Sequence, residues 1–223
     1  MKRIFLLLAI AMLALLSVAC ANDTTSNTTK QAPQIAAKTT YTNSLAGKKI
    51  LVAYFSATNN TKRVAEEIAQ ATGADIYRIE AAQSYSANPY DDKDLIQKEA
   101  YENLRPEVKA PLPASEMAKY DVIFVGSPIW WHQPAMVVCT FLESYDLSGK
   151  TIVPFFTYGA RSYLNESMQR IYKSTPNSVH VPASLPKDIE PDNIQQSQND
   201  DDGIIMPADV GNIDAWLKVL QLK

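Results

Sequence analysis

Ser56, Thr58, Asn60 and Thr61 bring hydroxyl and amide groups to a junction where an apolar run gives way to helical spacing, VAYFSATNNTKRVAEEIA over Val52–Ala69. A helix that starts there aims unpaired backbone N–H groups and the positive end of its dipole at an anion. No Gly-Lys-Ser/Thr closes a glycine-rich loop, which excludes the nucleoside triphosphate type of site. A phosphate monoester held by neutral donors fits these residues, and a helix start that is merely well capped is the alternative.

Two further stretches could carry chemistry. SPIWWHQP, Ser127–Pro134, presents Trp130 and Trp131, and indole faces stack on planar electron-rich ligands. The alternative packs one indole inward and lays the other over a neighbouring helix. His132 beside them is a candidate proton donor, or a surface histidine. TYGARSY contributes Thr157, Tyr158, Gly159 and Arg161. Glycine there lets backbone approach a ligand closely.

The elements around these stretches must place them. Ile50–Phe55, Tyr120–Gly126 and Thr151–Phe156 are apolar throughout, the pattern of strands buried on both faces, although Pro154 weakens the last. Ala74–Ile79 alternates as a further strand, and Ser178–Pro182 reads as a short fifth one. Helical spacing predicts helices over Thr61–Thr72 (ended by Gly73), Lys93–Leu104, Pro134–Tyr145, Ser162–Tyr172 and Asp209–Leu222. Between them the Pro-rich RPEVKAPLP keeps the chain extended. Strands alternating with helices predict an α/β fold, a three-layer doubly wound parallel sheet of five strands. Ligands of such sheets bind at the carboxyl ends of the strands, where all three stretches fall.

Composition narrows the class. The chain has 223 residues, 46% of them hydrophobic, and a formal charge of −3, so no polybasic surface argues for nucleic acid. Met1-Lys2-Arg3 followed by the apolar Ile4–Leu16 has the length of a signal-peptide core and is too short to span a membrane. LLSVAC ends at Cys20 and is similar to a lipoprotein cleavage box, in which the cysteine is lipidated; Ser17 stands where such boxes usually carry leucine. The expected organisation is a signal peptide over 1–19, a tether over 20–46 rich in Thr and Asn, and a folded domain over 47–223. An extracytoplasmic lipoprotein of the bacterial envelope is thereby expected. With Cys20 lipidated, Cys139 in MVVCTFL is left alone, a buried inert thiol. No metal site is expected.

The segments LVAYFSATNNTKRVAEEIA, YDVIFVGSPIWWHQP and FLESYDLSGKTIVPFFTYG resemble the flavodoxin family, in particular a bacterial branch with a P-I-W-W loop after the third strand. The resemblance runs over about Lys48–Tyr172 plus the last helix. It implies strand order 2-1-3-4-5 and one FMN. The phosphate would lie on Ser56, Thr58, Asn60 and Thr61. The isoalloxazine would lie between Ser127–Trp131 (Ser127, Pro128, Ile129, Trp130, Trp131) and Thr157–Gly159. Three departures stand out. Asn59 replaces the glycine of the family's S-x-T-G-x-T loop, and Asn tolerates the left-handed conformation better than most residues. No glycine lies between Ser127 and Pro134, where one-electron flavodoxins commonly turn a peptide toward the flavin. Ala183–Ala208 matches nothing in the family and reads as a solvated acidic loop within the atypical stretch 183–208. The function implied is electron transfer with an unidentified redox partner. An FMN-dependent NAD(P)H or quinone oxidoreductase is one alternative, and a flavin-free binding lipoprotein that keeps the fold is another.

Overall fold

The computed structural model describes residues 45–86, 88–158, 163–181, 203–205 and 213–222. The signal peptide, Cys20 and the tether up to residue 44 lie outside them, as do Gly159, Arg161, most of 183–208 and the expected caps Asp209 and Asn212.

Among the described residues five parallel strands form the body of the sheet. In chain order they are β1 (Ile50–Tyr54), β2 (Asp75–Arg78), β3 (Val122–Trp130), β5 (Thr151–Tyr158) and β6 (Val179–His180), and they lie side by side as β2-β1-β3-β5-β6. Counting only these five, the order is 2-1-3-4-5, as expected from the resemblance. β4 (Gln133–Pro134) folds back on β3 as an antiparallel hairpin, and β7 (Gly203–Ile205) pairs antiparallel with β5.

Helices cover both faces because β1, β3 and β5 alternate apolar side chains to each. Val52, Phe124 and Phe155 face α1 (Asn60–Thr72) and α6 (Ile213–Val219), in a layer that includes Ile68 and the fully buried Trp216. Ala53, Ile123 and Phe156 face α4 (Met136–Glu143) and α5 (Leu164–Ser174). Two further helices, α2 (Lys93–Tyr101) and α3 (Ala114–Met117), interrupt the connection from β2 to β3. α1 ends at Gly73, left-handed at φ 68°, whose N–H bonds Ala69 O. That is the glycine stop its sequence predicts.

Two local features set the site's frame. Gly126 is the register partner of Tyr54 on one side and Phe155 on the other. The Phe155 ring lies across it, so close that a Cβ on Gly126 would sit 2.3 Å from Cζ. Pro154 breaks no ladder. β6 pairs with β5 at Thr151 and Ile152 and β7 pairs at Phe156–Tyr158, so the proline falls in the gap between the two.

Two expectations need correction. Ser127–Trp130 is not loop but a continuation of β3, since Ile129 and Trp130 gain partners in Pro134 and Gln133. The 183–208 stretch is not wholly a solvated loop, because Gly203–Ile205 is a strand of the sheet. Within the connection over 81–119 the expected helix is present as α2, a 3-10 turn over Pro89–Asp92 leads into it, and Ala81 bridges Val108.

Candidate functional site

The carboxyl end of β1 enters the loop Ser56–Asn59 and then α1. Asn59 caps the helix at φ 68°, ψ 2°, the left-handed geometry for which glycine is the usual residue, and makes no side-chain cap. Its carbonyl accepts from Arg63 N at 3.0 Å. The helix therefore starts on a backbone turn rather than a side-chain cap, which leaves first-turn N–H groups facing outward.

Ser56 is 2% exposed and its Oγ has no hydrogen-bond partner. A buried hydroxyl left unpaired costs about 1–3 kcal/mol, so its retention at the mouth of a helix calls for a partner from outside the chain. Thr61 differs: its Oγ1 shares a buried hydrogen bond of 2.8 Å with Thr157 Oγ1. One hydroxyl read as a phosphate ligand and one read as part of a flavin wall are thus tied to each other. That bond joins α1 to β5 across the top of the sheet. Thr58 is exposed and Asn60 half-buried. Tyr158 is buried and is the register partner of Gly203 on β7.

Arg78, at the end of β2, donates to Ser56 O at 3.0 Å. It borders a cleft of about 120 Å³ that Ser56, Ala57, Ser84 and Tyr85 also line. Sequence reasoning missed this cation, because an arginine in an alternating strand reads as an outward-facing residue.

The second stretch is a tight hairpin. Trp130 pairs with Gln133, and the two residues between them, Trp131 at φ 47° and His132 at φ 68°, both take the left-handed conformation. This is the two-residue turn normally built from Asn-Gly or Asp-Gly. Strain of about 1–3 kcal/mol at each non-glycine position persists only where surroundings enforce it. Here they do. The His132 ring stacks on Tyr163 at 3.5 Å and 13°, Ser167 Oγ donates to His132 O at 3.4 Å, and Arg170 Nε donates to Gln133 Oε1 at 2.8 Å. All three come from α5 or the residue that caps it.

The two indoles part company. Trp130 is half-buried, edge-on to Phe55 at 5.3 Å and to Tyr85 at 5.2 Å, while Tyr85 meets Phe55 at 5.5 Å. Trp131 is 38% exposed with its ring 6.2 Å from Tyr101 of α2. In position, this is the inward-and-outward arrangement named as the alternative above. Ser127 is fully buried and occupied: its Oγ donates to Pro128 O at 2.8 Å and accepts from Ala135 N at 2.9 Å, which fixes the start of α4. Pro128 and Ile129 are strand residues, half-buried.

Behind the rings of Phe55, Tyr85 and Trp130 sits an acid that sequence reasoning also missed. Tyr85 donates from its hydroxyl to Glu99 Oε2 at 2.8 Å, and Glu99 is 6% exposed. Burial raises the Glu99 pKa and Asp92 adds to that, while the Tyr85 bond works the other way. Burial and Glu99 together push the Tyr85 phenol up. No local signal marks either residue, since they meet only through the fold. Cys139 is fully buried and burial raises its thiol, which suits an inert core residue. Among the described residues no helix is long and apolar enough to cross a membrane.

A family model described as flavodoxin matches residues 49–197. Among curated proteins no match reaches significance. Several solved structures are similar. A protein described as a flavoprotein from Bacteroides eggerthii is 31% identical at a TM-score of 0.57, over 79% of this chain and 99% of its own. A second so described, from Bacteroides uniformis, is 34% identical at 0.51, over 60% of this chain and 90% of its own. A flavoprotein from Lactobacillus acidophilus, solved in complex with FMN, is 23% identical at 0.51 and shares the fold, over 60% of this chain and 90% of its own.

Proposed function

The chain belongs to the flavodoxin family, and on that premise we propose that it holds one FMN and transfers electrons at the outer side of a bacterial membrane, tied there by a lipid on Cys20. The observation that carries the FMN reading is the buried, unpartnered Ser56 Oγ at the amino end of α1. A phosphate ester supplies the acceptor that this hydroxyl lacks, and the helix terminus favours its charge.

The residues divide the work. Ser56, Thr58 and Asn60, with the N–H groups of the first turn of α1, hold the phosphate. Asn59 turns the backbone into the helix. Thr157 fixes the Thr61 hydroxyl. Trp130, Trp131 and Tyr158, with Gly159 beyond, wall the ring and exclude water. Bound FMN supplies the electron chemistry, and the protein supplies orientation and electrostatics. Arg78 adds a cation beside the phosphate loop.

A second reading, an NAD(P)H or quinone oxidoreductase, is favoured by the hairpin. Trp131 and His132 already occupy the left-handed region and are clamped by α5, so rotation of a peptide toward the flavin meets resistance that a glycine would not offer. That favours paired-electron over single-electron transfer.

The test is direct. The purified protein is expected to be yellow, to release FMN on denaturation and, once stripped, to quench added FMN fluorescence. Thr61→Leu, which breaks the bond to Thr157 and blocks the loop, is expected to lose FMN. A colourless protein that quenches nothing refutes the reading and leaves the flavin-free binding protein. Turnover of NAD(P)H with a quinone separates the oxidoreductase from the carrier.

A further inference from the structure

We infer that Arg170 is a positioning residue: it holds the strained turn that carries the paired indoles, and so sets the ligand affinity of a site it does not touch. Its guanidinium is pinned at both ends. Nε donates to Gln133 Oε1 at 2.8 Å, the first residue after the turn, and Nη1 donates to Asn103 Oδ1 at 2.7 Å. Asn103 is itself left-handed at φ 54°. The same amide oxygen accepts from Arg105 Nη1 at 2.9 Å. Arg105 in turn grips Glu143 through Nε at 2.6 Å and Nη2 at 2.9 Å, and Ser174 Oγ donates to Glu143 Oε1 at 2.7 Å.

The result is a polar brace from the ends of α4 and α5, through the chain after α2, to the tip of the β3–β4 hairpin. It reaches the turn through Gln133, the register partner of Trp130, whose ring packs on Phe55 and Tyr85. Two guanidinium groups converging on one amide oxygen are an expensive arrangement for surface solvation alone. The feature it matches is the pair of non-glycine residues at positive φ, which relax unless held. A planar fork spans Gln133 and Asn103 at once. An ammonium offers one point of charge and cannot reproduce that geometry. α5 therefore does more than cover the sheet: one turn beyond Ser167 and two beyond Tyr163, it supplies the third clamp on the same two-residue turn.

The affinity part of this inference rests on the FMN reading; the turn part does not. The experiment uses the full-length protein with Arg170→Lys, Gln133→Ala, the double variant, and His132→Gly, which replaces a strained residue with one at ease at φ 68°. Three quantities are read: the near-UV circular dichroism of the indoles without ligand, the dissociation constant for FMN, and the melting temperature. Arg170→Lys and Gln133→Ala are each expected to change the indole signal and to weaken FMN about tenfold. The double variant is expected to be no weaker than the poorer single. In the His132→Gly background, Arg170→Lys is expected to leave both signals nearly unchanged. A lowered melting temperature with the indole signal and FMN affinity intact assigns Arg170 a merely structural role and overturns the inference. So do additive losses in the double variant. If the wild-type protein binds no FMN, the FMN reading falls. The indole signal of Arg170→Lys, compared with and without His132→Gly, then decides the brace by itself.

Discussion

Replacing Gly126 with alanine tests the packing that aims β3 at the site. The new Cβ would lie 2.3 Å from Phe155 Cζ, 2.6 Å from Cε2 and 2.9 Å from Tyr54 Cβ. Carbon atoms in contact settle at about 3.5–4.0 Å, so the ring must retreat by more than about 1 Å. It has nowhere to go: Phe155 is 0% exposed, and the Tyr54 Cβ moves only with the backbone of β1. Overpacking of this kind costs about 1–3 kcal/mol, and a clash with both neighbouring strands places Gly126→Ala at the upper end. In a domain of this size each kcal/mol shifts the melting temperature by about 2–4 °C, which gives a loss of about 6–12 °C. Thermal melts and urea titrations at unchanged m-value measure it. Phe155→Leu withdraws the obstructing atoms, so the double variant is expected to be clearly more stable than the sum of the two single losses predicts. A melting temperature within about 1 °C of wild type for Gly126→Ala, or strict additivity in the double, refutes the reasoning.

Two further outcomes follow from the site. Ser56→Ala removes a buried hydroxyl that has no partner, so without ligand its stability is expected to match or exceed that of wild type, by up to about 3 kcal/mol, while FMN affinity falls; a loss of ligand-free stability would show that the hydroxyl is satisfied by the chain. Glu99 has its pKa raised by burial, so its protonated form suits the fold. The stability it allows is complete below the ordinary carboxylate range, about pH 4, and is lost as pH rises through the raised value. Glu99→Gln keeps an acceptor for Tyr85 and is expected to gain melting temperature over wild type as pH rises above about 4; a difference that is flat with pH refutes the assignment.

Much of the fold is legible because each central strand is a run of apolar residues that only burial on both faces explains. Ile50–Tyr54, Val122–Val125 and Thr151–Phe156 announce themselves, and Gly73 and Asn59 mark their left-handed positions by residue type. The hairpin at Trp131-His132 is not legible, since nothing in two bulky residues signals a turn that favours Asn-Gly; only clamps from α5, distant in sequence, make it tenable. The reversed strand Gly203–Ile205 is hidden for another reason: three residues in a polar stretch carry no periodicity. In the site, the loop of hydroxyls at α1 is visible as a pattern. That Ser56 stands unpaired while Thr61 is joined to Thr157 depends on where β5 arrives. Arg78, Tyr85 and Glu99 enter only through contacts between segments far apart in the chain.

The outer edge of β5 is shared between two segments, with Pro154 at the seam. The lower half is closed early, by residues that follow α5 directly. The upper half, beside Thr157 and Tyr158, is closed by Gly203–Ile205, from a separate and later segment. Loss of Gly203–Ile205 would therefore bare only the half of that edge beside Thr157 and Tyr158, and leave the pairing at Thr151 and Ile152 in place.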